Sequence, residues 1–274
     1  MFTQFYHGTT RKLIILFGTL FNNIVIDRTD DNGNVVQKIR VPLSHAPKDK
    51  VLARLTQDPA LDKEAAITLP RMSFEQVDIE YDGDRKRNTV GHIARKDSDV
   101  NKFRHIYNPV PFNFHFNLYI YVKNAEDATK IYEQILPYFT PEWAVTLNMI
   151  PEMNILEDVV IVLNGVKPQD HYDGQFINRR ALVWTLSFTI KSHLYGPIRK
   201  KPVIKIVDTD FYIGNDPSDG SEVVDRITVT PGLTANGDPT TDPNETISPL
   251  LIDVDDDWDY IIQQSGLVIV EDEN

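Results

Sequence analysis

Cysteine is absent from all 274 residues. Disulfides, zinc–thiolate centres and thiol nucleophiles are thereby excluded, and a reducing compartment fits. Long hydrophobic runs are also missing. The most apolar stretch, residues 13–21, is about half of the roughly twenty residues that a membrane-spanning helix needs. The opening MFTQFYHGTTRK is polar and basic, without a secretory pattern. No membrane partner is therefore expected. There is no phosphate-cradling glycine loop, HExxH helix or nucleophile elbow. The seven histidines contain no ligand pair at helical spacing. The turn at residues 27–33 loosely resembles a calcium loop. It fails because Arg28 stands where the first carboxylate belongs and Ile39 where the closing glutamate belongs. No cofactor, metal or catalytic group is expected from this chain.

Positive charge is scarce in one region. Residues 208–274 hold 17 acidic residues and one basic residue, Arg226, a charge of −16. The other 207 residues hold 27 basic and 23 acidic residues, or +4, which gives the chain total of −12. Such asymmetry marks an interaction segment. Its sign repels a phosphate backbone, so no direct nucleic-acid readout is expected. Five prolines and five glycines are spread among these acids. This composition reads as an extended acidic arm, 208–274, rather than a domain. Its sticky end, 258–270, carries Trp258, Tyr260, Leu267 and Ile269. Two courses stay open for it: strand addition to a neighbour's sheet edge, or folding back onto its own domain. The run Asp253, Asp255, Asp256, Asp257 and Asp259 reads as solvated, since nothing constrains ligand geometry.

The clearest signal lies in residues 107–143. Phe112, Phe114, Phe116, Leu118, Ile120 and Val122 alternate with Asn113, His115, Asn117, Tyr119, Tyr121 and Lys123. That period describes a strand with one dry and one wetter face, roughly 36 Å long at about 3.3 Å per residue. Asn124 then offers a helix cap, with Asp127 as the far half of a capping box. Ala128, Ile131, Tyr132, Ile135 and Leu136 form an apolar stripe, which Pro137 ends.

Elsewhere, residues 13–20 predict an amphipathic helix capped at Thr9 or Thr10. Strands are predicted at 24–28, 35–43, 72–81, 159–163, 181–190 and 203–207, a weak helix at 48–55, and a loop at 164–174. Residues 83–105 are polar and basic with little periodicity and read as an exposed insertion. Arg85, Lys86, Arg87, Arg95 and Lys96 make it a candidate surface for an acidic partner, including this chain's own acidic segment in a second copy.

Taken in order, several segments resemble the proximal tail sheath stabilizers, or neck (tail-completion) proteins, of contractile-tailed phages. The resembling positions begin with Phe2, Phe5, Tyr6, Arg11, Leu20, Phe21, Asn23 and Ile24. They continue through Arg40-Val41-Pro42, Leu69-Pro70-Arg71 and Tyr107-Asn108-Pro109, are densest in Glu133-Gln134-Ile135-Leu136-Pro137-Tyr138-Phe139, and end with Arg179-Arg180, Trp184, Phe188 and Tyr195-Gly196-Pro197. The resemblance implies a non-enzymatic virion protein, assembled in the host cytoplasm, that forms a ring of six subunits at the head-proximal end of the tail. Its implied partners are itself, the tail sheath protein, the tail tube terminator and the neck or head-completion proteins.

The resemblance implies an α+β fold similar to that of phage tail terminators, a mixed, largely antiparallel sheet flanked by helices, with which the strand and helix pattern is compatible, in a body spanning 1–207. Tyr119, Tyr121 and His115 on the wetter strand face are candidate ring-interface residues. The alternative is a soluble binding adaptor whose acidic arm recruits a basic partner.

Overall fold

Apolar alternation builds most of this structure, a computed structural model that describes residues 4–29, 34–56, 69–140, 142–171, 181–212 and 223–266. The chain divides into two units: Met1–Thr89 with Asn108–Tyr195, and Val90–Tyr107 with Gly196–Asn274. The first unit contains helix α1 (Thr9–Phe21), strands β1 (Val25–Thr29), β2 (Val35–Arg40) and β3 (Leu43–His45), helix α2 (Lys48–Thr56) and strand β4 (Arg71–Tyr81). Strands β5 (His92–Lys96) and β6 (Lys102–Tyr107) belong to the second unit. The chain returns to the first with β7 (Val110–Val122), helix α3 (Ala125–Tyr132), β8 (Glu142–Ile150), β9 (Ile155–His171) and β10 (Ala181–Leu194). The second unit is completed by β11 (Arg199–Pro202), β12 (Val207–Tyr212), β13 (Val223–Gly232) and β14 (Asp259–Gly266).

The main sheet has the order β3-β4-β7-β10-β9-β8. Every pairing is antiparallel except β3 with β4. It is thus mixed and largely antiparallel, and the α+β class holds. Along β7 the dry face behaves as its alternation predicts: Phe114, Phe116, Leu118, Ile120 and Val122 are fully buried. Cross-strand register sets Phe188 opposite Phe116 and Leu186 opposite Leu118. Phe17 of α1 is the plug on this face. Its ring stacks on Phe116 at 4.9 Å and touches Phe21, Phe74 and Phe188 within 5.3 Å. Gly18 lets α1 lie close, because a Cβ there would sit 3.2 Å from the Phe74 ring. Helix α3 covers the same face with Ala128 and Ile131 buried and Tyr132 stacked on Trp184 at 5.0 Å.

Local expectations are corrected in several places. Gly8, in the left-handed region (φ 68°), stands at the N-cap of α1 in place of Thr9 or Thr10. Asn124 makes no side-chain cap bond, and Asp127 is buried against Arg28 (3.1 Å) rather than completing a capping box. The loop read at 164–174 is strand as far as His171; the register skips Asn164, a bulge that accommodates the extra residue. Residues 203–206 are not a core strand: Ile204 is 81% exposed, and strands lie on either side.

The basic insertion is not an unstructured loop. Residues 92–107 form the β5–β6 hairpin, and β11 pairs with β6 to make a three-stranded sheet. Asp97 and Asp99 organise the turn, accepting hydrogen bonds from the backbone N–H groups of Ser98 and Asn101. The expected extended arm is likewise corrected for residues 207–212 and 223–266. These build the antiparallel sheet β12-β13-β14, with Leu233, Ile252 and Ile261 buried. The acids sit where strands tolerate them: Asp208 accepts from Thr228 Oγ1 at 2.7 Å, and Asp210 pairs with Arg226. The organisation therefore differs from a 1–207 body and a 208–274 arm.

Replacing Phe17 by Ala removes the plug from four aromatic neighbours and should cost about 3–5 kcal/mol. A urea titration read by near-ultraviolet circular dichroism checks this, with an unchanged midpoint counting against the packing described.

Candidate assembly interface

The face of β7 expected to be wet is dry at one end. Tyr119 is 5% exposed and Tyr121 is fully buried. Helix α2 covers them, with Val51 in the same buried cluster as both tyrosines and Val183. Their hydroxyls are used internally. Tyr119 donates to Glu75 Oε1 at 2.7 Å, and Tyr121 lies 3.0 Å from Ser73 Oγ. Burial, then the Glu75 carboxylate, pushes the Tyr119 phenol up to about 12, so it stays protonated and donating across the physiological range. Exposure of these tyrosines is thus corrected: an amphipathic side chain on a polar-looking face can be covered by a helix.

His115 lies further along the same face, half-buried. Its Nδ1 is 3.1 Å from Thr189 Oγ1, which accepts from Asn164 Nδ2 at 2.7 Å. Its Nε2 is 3.4 Å from Glu80. This polar chain crosses four strands and gives the uncovered end of the face its satisfied hydrogen bonds. Arg85 is tied down: it pairs with Asp82 at 2.7 Å and donates to the Phe112 carbonyl and Asn113. Lys86 and Arg87 remain exposed. At the far end of β9, buried Glu157 accepts from Ser192 and Tyr195 and lies 2.9 Å from His193 Nδ1. Sequence reading missed this cluster, since nothing in the pattern marks Glu157 as buried.

An open groove of about 500 Å³ lies in the first unit, where the end of α1, the 3-10 turn Leu136–Tyr138 and β8 meet. Phe21 and Ile24 line one side, Ile135, Tyr138 and Phe139 the other, and Trp143 closes it. Tyr138 is 72% exposed and Trp143 39%. Strand β8 is an outer strand of the six-stranded sheet, and among the described residues no strand pairs with its outer edge, although Lys12 donates to the carbonyls of Asn148 and Met149. The densest resembling segment, residues 133–139, and the earlier one at 20–24 converge on this groove. Strand β8 itself was missed, although Trp143, Val145, Leu147 and Met149 alternate with smaller or polar residues.

In the second unit, Asp97 is the electrostatic centre. Its carboxylate has no exposed side-chain surface and is met by the Lys200 ammonium (2.6 Å) and the Arg104 guanidinium (2.7 Å). Lys200 first, then Arg104, hold this carboxyl far below the ordinary carboxylate range. Lys96 on β5 lies 3.4 Å from Asp255 and 3.8 Å from Asp253, while Arg95 is exposed. Trp258 is half-buried, edge-on to Tyr260 at 5.1 Å, and Tyr260 itself is 59% exposed on β14. Leu267 and Ile269 lie outside the described residues.

Among the described residues no group of three or more His, Asp or Glu side chains is placed to hold a metal ion, and no helix is long and apolar enough to cross a membrane. The chain belongs to the tail sheath stabiliser family of T4-like myoviruses, whose model matches residues 4–266. It is similar to the tail completion protein gp15 of Enterobacteria phage T4, 29% identical over 239 residues, covering 83% of this chain and 86% of that one. It is thus a structural tail protein of a bacteriophage and a component of the virion.

Two outcomes follow for these residues. Replacing Tyr119 and Tyr121 together by Ser should destabilise the first unit by several kcal/mol, on the order of 3–5 for one large aromatic; a denaturation midpoint that stays put would refute the α2 packing. Asp97→Asn should lower the melting temperature at neutral pH. A depressed carboxylate stabilises above its unfolded pKa of about 3.9, and that contribution is lost as pH falls through the folded value. The gap between wild type and variant should therefore close on acidification, and a gap independent of pH would contradict the assignment.

Proposed function

We propose that the chain forms a ring of six subunits at the head-proximal end of a contractile tail, with a fold akin to the tail terminators. The ring caps the tube and the last sheath ring, holds the sheath extended and presents a surface to the neck and head. Its partners are other copies of itself, the tail sheath protein, the tail tube terminator and the neck or head-completion proteins. Its work is binding rather than turnover. Lys86, Arg87, Arg95 and Tyr260, all exposed, are contact residues of this assembly.

The observation that supports the reading best is the groove. Two segments more than a hundred residues apart carry much of the family resemblance, and they meet around one open apolar surface beside the outer strand β8. A packing requirement alone would have closed that surface, because exposed Tyr138 and Trp143 contribute little to the core that lies behind them. A partner strand or helix laid on it would bury both. The adaptor reading has no comparable support, since residues 207–212 and 223–232 are paired in a sheet rather than held free.

Electron microscopy of the purified chain, alone and added to tails assembled without it, tests the proposal. Six-fold rings on the tail end and a sheath that stays extended are expected. Tyr138→Ser with Trp143→Ser should leave the circular dichroism spectrum intact but lose sheath retention. Tails that keep an extended sheath with this variant would remove the groove from the account, and the absence of any ring on tails would remove the ring.

A further inference from the structure

The three-stranded sheet β11-β6-β5 has two unlike faces. Register places Arg199, His105 and Ala94 in one cross-strand row, Lys201, Phe103 and Lys96 in the next row on that side, and Tyr107 with His92 beyond. Paired residues share a face, as do residues two apart. The opposite face carries Lys200 and Arg104, and Asp97 neutralises both.

On the first face only Lys96, at the rim, meets carboxylates. Among the described residues neither Arg199 nor Lys201 has a carboxylate partner. The Arg199 guanidinium rests 5.7 Å above the Tyr107 ring, and both cations are exposed. His105 lies beneath them, 2% exposed, and neither ring nitrogen forms a well-made hydrogen bond, a weak contact to the Arg199 backbone aside. Burial first, then the neighbouring Lys201, His92 and Arg199, hold its pKa down.

Acidic protein, rather than nucleic acid, suits this face. The one tyrosine ring on it, Tyr107, already has the Arg199 guanidinium over it. The chain as a whole is at −12, which repels a phosphate backbone. At the rim, Lys96 lies 3.4 Å from Asp255 and 3.8 Å from Asp253 of the same chain, so an acidic run already meets this sheet. The chain holds one further such run, Glu271, Asp272 and Glu273.

We propose that the Arg199–Lys201 face of this sheet receives Glu271, Asp272 and Glu273 of a second copy of the chain. The contact rests on the ring reading and supplies it with a charged lateral joint. Because the two patches differ, the contact can run head-to-tail, the arrangement that the proposed ring requires.

The test is zero-length carbodiimide cross-linking of a mixture of unlabelled and 15N-labelled full-length chains, followed by peptide mapping. Mixed-isotope links from Lys201 to residue 271, 272 or 273 are expected. Their yield should fall as salt rises and the Debye length shortens from about 10 Å at 0.1 M to about 3 Å at 1 M. Arg199→Glu with Lys201→Glu should abolish association through this joint. Adding Glu271→Lys, Asp272→Lys and Glu273→Lys to the same chain should restore it, which separates a lost contact from a lost fold. Links confined to one isotope, or self-association by sedimentation unchanged in the charge-reversed chain, would overturn the joint. An intact ring on tails with no such link overturns the joint alone, whereas a chain that never assembles on tails overturns the ring itself.

Discussion

Strand β7 must be covered on both faces, and the first unit is arranged to meet that demand. A strand hydrogen-bonded to β4 on one side and β10 on the other has no free edge, so its only exposure is through its faces. The face of phenylalanines is closed by α1 and α3, with Phe17 as the deepest contact. The other face carries hydroxyls and a histidine, and burying an unpaired polar group costs about 1–3 kcal/mol. Covering it therefore required partners on neighbouring strands: Glu75 and Ser73 from β4, Thr189 from β10 and Asn164 from β9. With the phenylalanine face closed and the tyrosine end of the other face under α2, the sheet offers other proteins mainly its outer strands, helix ends and loops. That is why the groove lies at the end of α1 beside β8 and not in the middle of the sheet.

Much of this was legible in the chain. Period-two alternation located β4, β7 and β10, and the apolar stripes located α1 and α3. The errors share a physical cause. Tyrosine is apolar along its ring and polar at its tip, so alternation marks Tyr119 and Tyr121 as wet although a helix covers them. The helix responsible, α2, has a weak pattern of its own. Short strands rich in Lys and Arg carry no apolar alternation, which hid β5, β6 and β11. Their stability comes instead from ladder pairing and from Asp97, whose ion pairs are long-range information. The groove was beyond reach for the same reason: residues 20–24 and 133–143 meet only once the sheet has formed.

The charge distribution also changes meaning. Along the chain it looked like a near-neutral body followed by an acidic arm. By structural unit, the first holds 19 basic and 21 acidic residues, and the second 9 basic and 19 acidic. The cations of β5, β6 and β11 thus share a unit with the acids that follow β11. The polarity lies within one unit, and part of it is spent internally on Asp97 and on the Lys96 contacts.

That internal pairing decides what the remainder can do. Two like cationic faces repel, so a symmetric face-to-face dimer through Arg199 and Lys201 is disfavoured. A cationic face and an acidic run on the same chain attract between copies, each copy using one of each. In the proposed ring such a joint would repeat until the rotation closes it, with charge setting the direction of assembly and shape the number of subunits. Exposed pairs of this kind contribute only about 0–1 kcal/mol each. They suit the selection of the right neighbour and the right orientation, whereas the strength of holding must come from apolar surface. In the proposed assembly that surface is the groove between Phe21 and Trp143, and a division of labour between a weak directing joint and a stronger apolar one follows from their chemistry.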